Sequence, residues 1–196
     1  QYMMSYIIPS SMSKPTLEQR TAFVELLKTP CSSVLREPAQ QCSLPRRVRQ
    51  LITAHAAYES GWGTARAAQG FNFWNLTAGK LWRGKTLAGP DMEFSVETLK
   101  PKAIVQKFRQ YGDVLEAVTD YLAFLKLPRY ADGLKKLLLG DSSFVEDLGV
   151  YKLGPGKSIM PAWLTGLGKG GFYTLPIEQY SAEFAKHLKQ VEALDL

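Results

Sequence analysis

Ala54-His55-Ala56-Ala57-Tyr58-Glu59-Ser60-Gly61-Trp62-Gly63 is the stretch on which the reading of this chain turns. Val48, Ile52, His55 and Glu59 recur at i, i+4, i+7 and i+11, which sets all four on one face of a helix. Gly61 and Gly63 stop that helix, because glycine tolerates the left-handed conformation at a helix C-terminus. Glu59 therefore stands at a helix exit, at the end of an apolar stripe. Burial disfavours an ionised carboxylate, so an acid held there keeps its proton near neutral pH and can donate it. A salt-bridged or half-exposed glutamate at a helix end is the other reading of the same position.

The residues C-terminal to Glu59 favour chemistry on sugars. Trp62 lies just beyond it, and Phe71-Asn72-Phe73-Trp74-Asn75-Leu76 and Trp82 come next. Aromatic faces stack on the C–H faces of sugars, and asparagine amides bond hydroxyl and acetamido groups, so an acid among them suits a polysaccharide cleft. Trp62, Asn72, Phe73, Trp74 and Trp82 are accordingly the candidate substrate-binding residues. Core packing is the competing reading for each large ring taken alone.

These residues carry a resemblance. Ala54 to Gly63 resembles the start of the catalytic module of glucosaminidase-type peptidoglycan hydrolases, the family that includes the muramidase-like domain of the flagellar rod-cap protein and bacterial autolysins. Asn72-Phe73-Trp74-Asn75-Leu76 looks like the family's Asn-Leu-Phe-Gly-Ile segment. Trp82-Arg83-Gly84-Lys85-Thr86 leads, as there, into a short strand bearing Glu93. Phe108-Arg109-Gln110-Tyr111, Asp120-Tyr121 and Pro128-Arg129-Tyr130-Ala131 fall in family order. Gly171-Phe172-Tyr173-Thr174-Leu175-Pro176, with Tyr180 beyond it, is similar to the closing segment and last helix.

The resemblance implies a lysozyme-like α+β fold, mainly α, with a small β-hairpin lobe, and hydrolysis of β-1,4 bonds between N-acetylglucosamine and N-acetylmuramic acid. Glu59 would protonate the leaving oxygen, and Glu93 would activate water or stabilise the oxocarbenium-like transition state. Asp91 and Glu97 are alternative second carboxylates. Tyr173 would support the acetamido group or the developing positive charge, and Tyr121 and Tyr130 join the substrate-binding set. Two departures stand out. The family's closing tyrosine falls at Phe172, with Tyr173 beside it, and the Gly-, Pro- and Lys-rich segment from Gly149 to Gly168 is longer than in the family.

Composition agrees with this reading. The 196 residues, 45% hydrophobic and 21% charged, suit a single globular core. Residues 1–45 are expected as an N-terminal helix and loop packing on a hydrolase domain over 46–196. A net charge of +6 favours an anionic partner, which could be nucleic acid, a membrane surface or a wall polymer bearing carboxylates. Nucleic acid is disfavoured, because the short Pro45-Arg46-Arg47-Val48-Arg49 cluster reads as a solvated helix face and no DNA-binding spacing occurs. No apolar run is long enough to span a membrane. The Gln1 to Tyr6 start has no signal-peptide pattern, which fits a module excised from a longer protein acting in the periplasm or cell wall. Cys31 and Cys42 suit either one disulfide or two free thiols. No cofactor is implied, and with His55 and His187 far apart no metal spacing is present.

Along the chain, residues 16–28 read as a helix ended by Pro30, 46–59 as the helix carrying the acid, and 113–126, 131–139 and 177–193 as further helices. Alternating Met92, Phe94 and Val96 between Gly89-Pro90 and Lys100-Pro101 read as strand. Gly166 to Gly171 satisfies the dinucleotide fingerprint formally but lacks its strand-to-helix setting, so it reads as a loop. A lytic transglycosylase and a non-catalytic wall-binding or assembly module are the competing functions. In an antibacterial effector setting an immunity protein plugging the cleft is the expected partner.

Overall fold

The computed structural model describes residues 14–33, 44–94, 101–140, 144–147, 150–151, 154–155, 158–161 and 177–195. Its helices are α1 (Leu17–Ser33), α2 (Arg46–Ser60), α3 (Val114–Leu125), α4 (Ala131–Leu138) and α5 (Ile177–Leu194), with a 3-10 turn at Arg66–Gly70. A hairpin of β1 (Thr86–Phe94) and β2 (Pro101–Arg109) stands between α2 and α3. The expected α+β, mainly α architecture with a hairpin lobe is what the chain adopts.

α2 lies at the centre. From Leu51 to Ala57 every side chain is buried, and α1 and α5 both pack on the helix. α5 turns Tyr180, Phe184, Leu188 and Val191 inward at helical spacing. Arg46 bonds Asp195, at 3.3 Å from Nε to Oδ2, and Arg47 bonds Glu192, so the start of α2 meets the end of α5. This antiparallel alignment carries the first turns of α5 to the last turn of α2, where Glu59 sits.

α1 runs past the stop expected at Pro30. Proline removes one intrahelical bond, but the last turn is held by burial of Leu27 and Cys31, each at 0% exposure. The carbonyl that loses its donor belongs to Leu26, a residue 44% exposed, where water can replace the missing N–H. Cys31 is a free thiol, and burial pushes its pKa up to about 12. Cys42 lies outside the described residues.

α3 begins at Asp113, whose side chain accepts from the Glu116 amide at 2.8 Å while Glu116 reaches back to the Gly112 amide at 2.6 Å, a variant of the capping box. The β1–β2 register runs from Thr86 opposite Arg109 to Phe94 opposite Pro101. The Leu76 to Ala78 segment pairs with the far edge of β2 through Arg109 N to Leu76 O (2.9 Å) and Ala78 N to Lys107 O (2.8 Å), which docks the lobe on the body. From the Gly149 to Gly168 region, β6 (Ser158–Pro161) pairs antiparallel with β3 (Phe144–Asp147) and lies against α5. Between them β4 (Val150–Tyr151) pairs with β5 (Gly154–Pro155). The Gly166 to Gly171 motif lies outside the described residues.

Candidate active site

The last turn of α2 places Glu59 and then changes direction sharply. Gly61 takes φ 56°, and the amides of Gly61 and Trp62 close back onto the Tyr58 and Ala57 carbonyls. Trp62 itself has φ 61° and Gly63 φ 81°, and a Cβ on Gly63 would come within 3.2 Å of the Phe23 ring. Ser60 Oγ donates to Ala56 O (2.6 Å) and accepts from Gly63 N (2.8 Å), so it holds the turn. Asn75 Nδ2 donates to the Glu59 carbonyl at 2.5 Å. The backbone of Glu59 is thereby fixed from both sides.

The Glu59 side chain is only 6% exposed. Tyr180 Oη donates to its Oε1 at 2.7 Å, and His55 Nε2 lies 2.9 Å from that same hydroxyl. His55 Nδ1 lies 2.8 Å from Tyr121 Oη. Tyr121 is wholly buried, and burial first, then the charges of Glu59 and Cys31, raises its pKa well above the usual phenol range, so it remains a hydroxyl donor. The expected carboxylate on a buried helix face is present, and among the described residues it is held by Tyr180 and His55 rather than by Lys or Arg.

The candidate substrate-binding residues separate into two groups. Trp74 and Tyr121, both at 0% exposure, stack on each other with centroids 4.3 Å apart and planes 10° apart. Phe73 packs edge-on against Phe23 and Trp74, and Tyr130 packs on Phe124. Trp62 is held between Phe23, His187 and the Arg20 guanidinium. Asn72 spends its amide on backbone, with Nδ2 to Leu76 O (2.8 Å) and Arg109 O (3.0 Å) and Oδ1 from Leu76 N (2.9 Å). The structure therefore gives Trp62, Asn72, Phe73, Trp74, Tyr121 and Tyr130 packing or backbone partners in place of an open wall. The reason is that each ring's faces are already covered when the helices meet.

Trp82 differs. It is half-buried, its indole N–H donates to Lys85 O at 2.9 Å, and the Arg109 guanidinium lies 4.9 Å from its ring centre. Arg109 is itself anchored on Asp120 at 2.7 Å, and Tyr111 donates to the same carboxylate oxygen at 2.6 Å. Burial and the Asp120 charge hold the Tyr111 hydroxyl protonated far above its ordinary range. A half-open ring thus stands on a braced cation.

On the hairpin, position 93 pairs with Lys102. Asp91, the alternative second carboxylate, is 3% exposed within that lobe. Glu97 and Tyr173 lie outside the described residues. Among the described residues, no group of His, Cys, Asp and Glu could hold a metal ion, and no helix is long and apolar enough to cross a membrane. Sequence reasoning placed Tyr180 only in a terminal segment and His55 only on a stripe. The shared helix face was the signal for His55, whereas Tyr180 comes from a distant helix and carried no such signal.

The family model described as "Glucosaminidase: Mannosyl-glycoprotein endo-beta-N-acetylglucosaminidase" matches residues 39–191. "Peptidoglycan hydrolase FlgJ" of Salmonella typhimurium is 32% identical over 129 residues, 63% of this chain and 38% of that protein. The protein of the same description from Escherichia coli K12 is 34% identical over 99 residues, 47% of this chain and 30% of that protein. The chain thus matches only about a third of the length of these relatives. Among solved structures, a peptidoglycan hydrolase mutant from Sphingomonas sp. A1 superimposes with a TM-score of 0.62 at 22% identity, covering 89% of this chain and 97% of that one. A C-terminally truncated glycoside hydrolase domain of Salmonella typhimurium FlgJ superimposes with a TM-score of 0.54 at 24% identity, covering 89% and 98%. These likenesses show a shared fold.

Proposed function

The chain belongs to the glucosaminidase family, and from that premise we propose that it hydrolyses the β-1,4 bonds between N-acetylglucosamine and N-acetylmuramic acid in peptidoglycan. The observation that carries the reading is Glu59: a nearly buried carboxyl group at a helix exit, with one oxygen engaged by Tyr180. In this mechanism Glu59 delivers its proton to the glycosidic oxygen as the bond breaks, and the positive charge that develops on the sugar ring needs a second carboxylate. Glu93 fills that role from the hairpin. Tyr173 supports the acetamido group or the same developing charge, and Trp82 offers its open face to the glycan. The named relatives, peptidoglycan hydrolases, support the choice of polymer. The net charge of +6 suits a wall bearing peptide carboxylates. The site of action is the periplasm or cell wall. If the parent protein is an antibacterial effector, an immunity protein closing the cleft is its expected partner.

The test is digestion of purified sacculi, borohydride reduction and mass spectrometry of the muropeptides. A glucosaminidase leaves a reducible N-acetylglucosamine end, and that is the expected product. A reducible muramic end would assign the alternate linkage, an anhydro sugar a transglycosylase, and intact sacculi would overturn the enzymatic reading. Glu93→Gln is expected to lower kcat by roughly tenfold or more, a loss of at least about 1.4 kcal/mol of transition-state stabilisation. Binding to sacculi should be retained, because a charge that answers the oxocarbenium acts only in the transition state. Full activity in that variant, with loss in Asp91→Asn or Glu97→Gln, would move the role along the hairpin.

A further inference from the structure

We propose that Tyr121, His55 and Tyr180 form a one-way hydrogen-bond chain that fixes Glu59 Oε1 as an acceptor and leaves Oε2 to carry the reacting proton. The inference rests on the reading of Glu59 as the general acid, and it makes His55 and Tyr180 positioning residues. Its basis is a count of hydrogens. Tyr180 Oη lies within bonding distance of both Glu59 Oε1 (2.7 Å) and His55 Nε2 (2.9 Å), yet it owns a single hydrogen. An ionised carboxylate only accepts, so that hydrogen goes to Oε1 and the hydroxyl oxygen must accept from His55. The imidazole therefore carries its hydrogen on Nε2. A neutral ring then accepts at Nδ1, where Tyr121 donates across 2.8 Å. The direct His55 Nε2 to Oε1 separation is 3.5 Å, too long to replace the bridge.

The same pattern serves both states of the acid. With a proton on Oε2, Oε1 still accepts from Tyr180 and no other hydrogen moves, so Glu59 can give up and recover its proton on a fixed frame. A proton on Oε1 would oppose the Tyr180 hydrogen and require the whole chain to reverse.

Among the described residues, the helices packed on α2 supply titratable groups around this chain. α2 itself supplies Tyr58, which meets Tyr180 edge-on at 4.6 Å. α1 supplies Cys31, a neutral thiol whose ionised form would raise Tyr121 further, and Arg20, whose charge lowers His187. α5 supplies His187, 5.5 Å from Tyr58, with its pKa lowered by burial. α4 approaches α2 at the other end, where Gly140 faces Arg47 and Val48.

Tyr180→Phe removes one oxygen and tests the chain directly. With that hydrogen bond gone, Glu59 Oε1 loses its fixed donor, and kcat is expected to fall about tenfold with KM unchanged. His55→Leu should lower kcat in the same way, whereas His55→Gln, which keeps one donor and one acceptor, should stay near the wild type. Nitrogen NMR of the unaltered protein reads the chain without turnover. The chain has two histidines, and His187 Nδ1 donates to the Glu183 carbonyl at 2.7 Å. The spectrum should therefore show opposite tautomers, hydrogen on Nε2 in His55 and on Nδ1 in His187. An unchanged kcat in folded Tyr180→Phe, or a hydrogen on Nδ1 of His55, overturns the proposal. Failure of the wild type to lyse wall would count against the glycosidase reading alone, since the tautomers decide the chain independently.

Discussion

Glu59→Gln is expected to lower the rate of wall lysis by at least about 100-fold, the lower end of what one general acid supplies. Glutamine matches the shape of the carboxylic acid and can accept from Tyr180 through its amide oxygen, so the 2.7 Å contact and the packing of α2 on α5 should survive. What it cannot do is donate a proton to the departing glycosidic oxygen. Turbidity loss of a wall suspension measures the effect, and an unchanged thermal midpoint shows that it is chemical. Near-normal lysis by a folded Glu59→Gln protein would remove this residue from the mechanism.

Trp74→Ala is expected to destabilise the protein by roughly 3–5 kcal/mol, the cost of emptying a fully buried tryptophan site. The ring has 0% exposure and stacks flat on Tyr121, so its loss opens a void beside the hydroxyl that donates to His55. For a domain of this size that cost lowers Tm by roughly 6–20 °C. Trp82→Ala makes the contrast. Its ring is half-exposed and braced by Arg109, so Tm should change little while retention on sacculi at high salt falls. Equal thermal losses in the two variants would mean that both rings are core, and that the open aromatic face lies elsewhere.

Much of the local structure was legible along the chain. The stripe of Val48, Ile52 and His55 and the glycine stop at Gly61 located α2 to within a residue of its observed Arg46–Ser60 span. Alternation at Met92 and Phe94 signalled a strand, but Gly89-Pro90, read as its boundary, lie inside β1 opposite Gln106 and Val105, and Pro101 opens β2; the helix patterns after Asp113 and near Ile177 became α3 and α5. Pro30 was read as a stop because proline costs a hydrogen bond. That local cost is outweighed where Leu27 and Cys31 bury the last turn, and burial cannot be read from one helix alone.

What the sequence determined by itself is therefore what depends on neighbours along the chain: where helices begin and end, which residues share a face, and that an acid ends one of those faces. The tertiary structure decided what depends on neighbours in space. Trp62, Asn72, Phe73, Trp74, Tyr121 and Tyr130 belong to packing and to backbone support because α1, α3 and the 71–76 loop cover their faces or use their amides, and a composition rich in rings is the same whether the rings are covered or open. Tyr180 reaches Glu59 across a separation of 121 positions. No periodicity extends so far, and the contact exists because burial of Tyr180, Phe184, Leu188 and Val191 lays α5 along α2, with Arg46 and Arg47 meeting its far end.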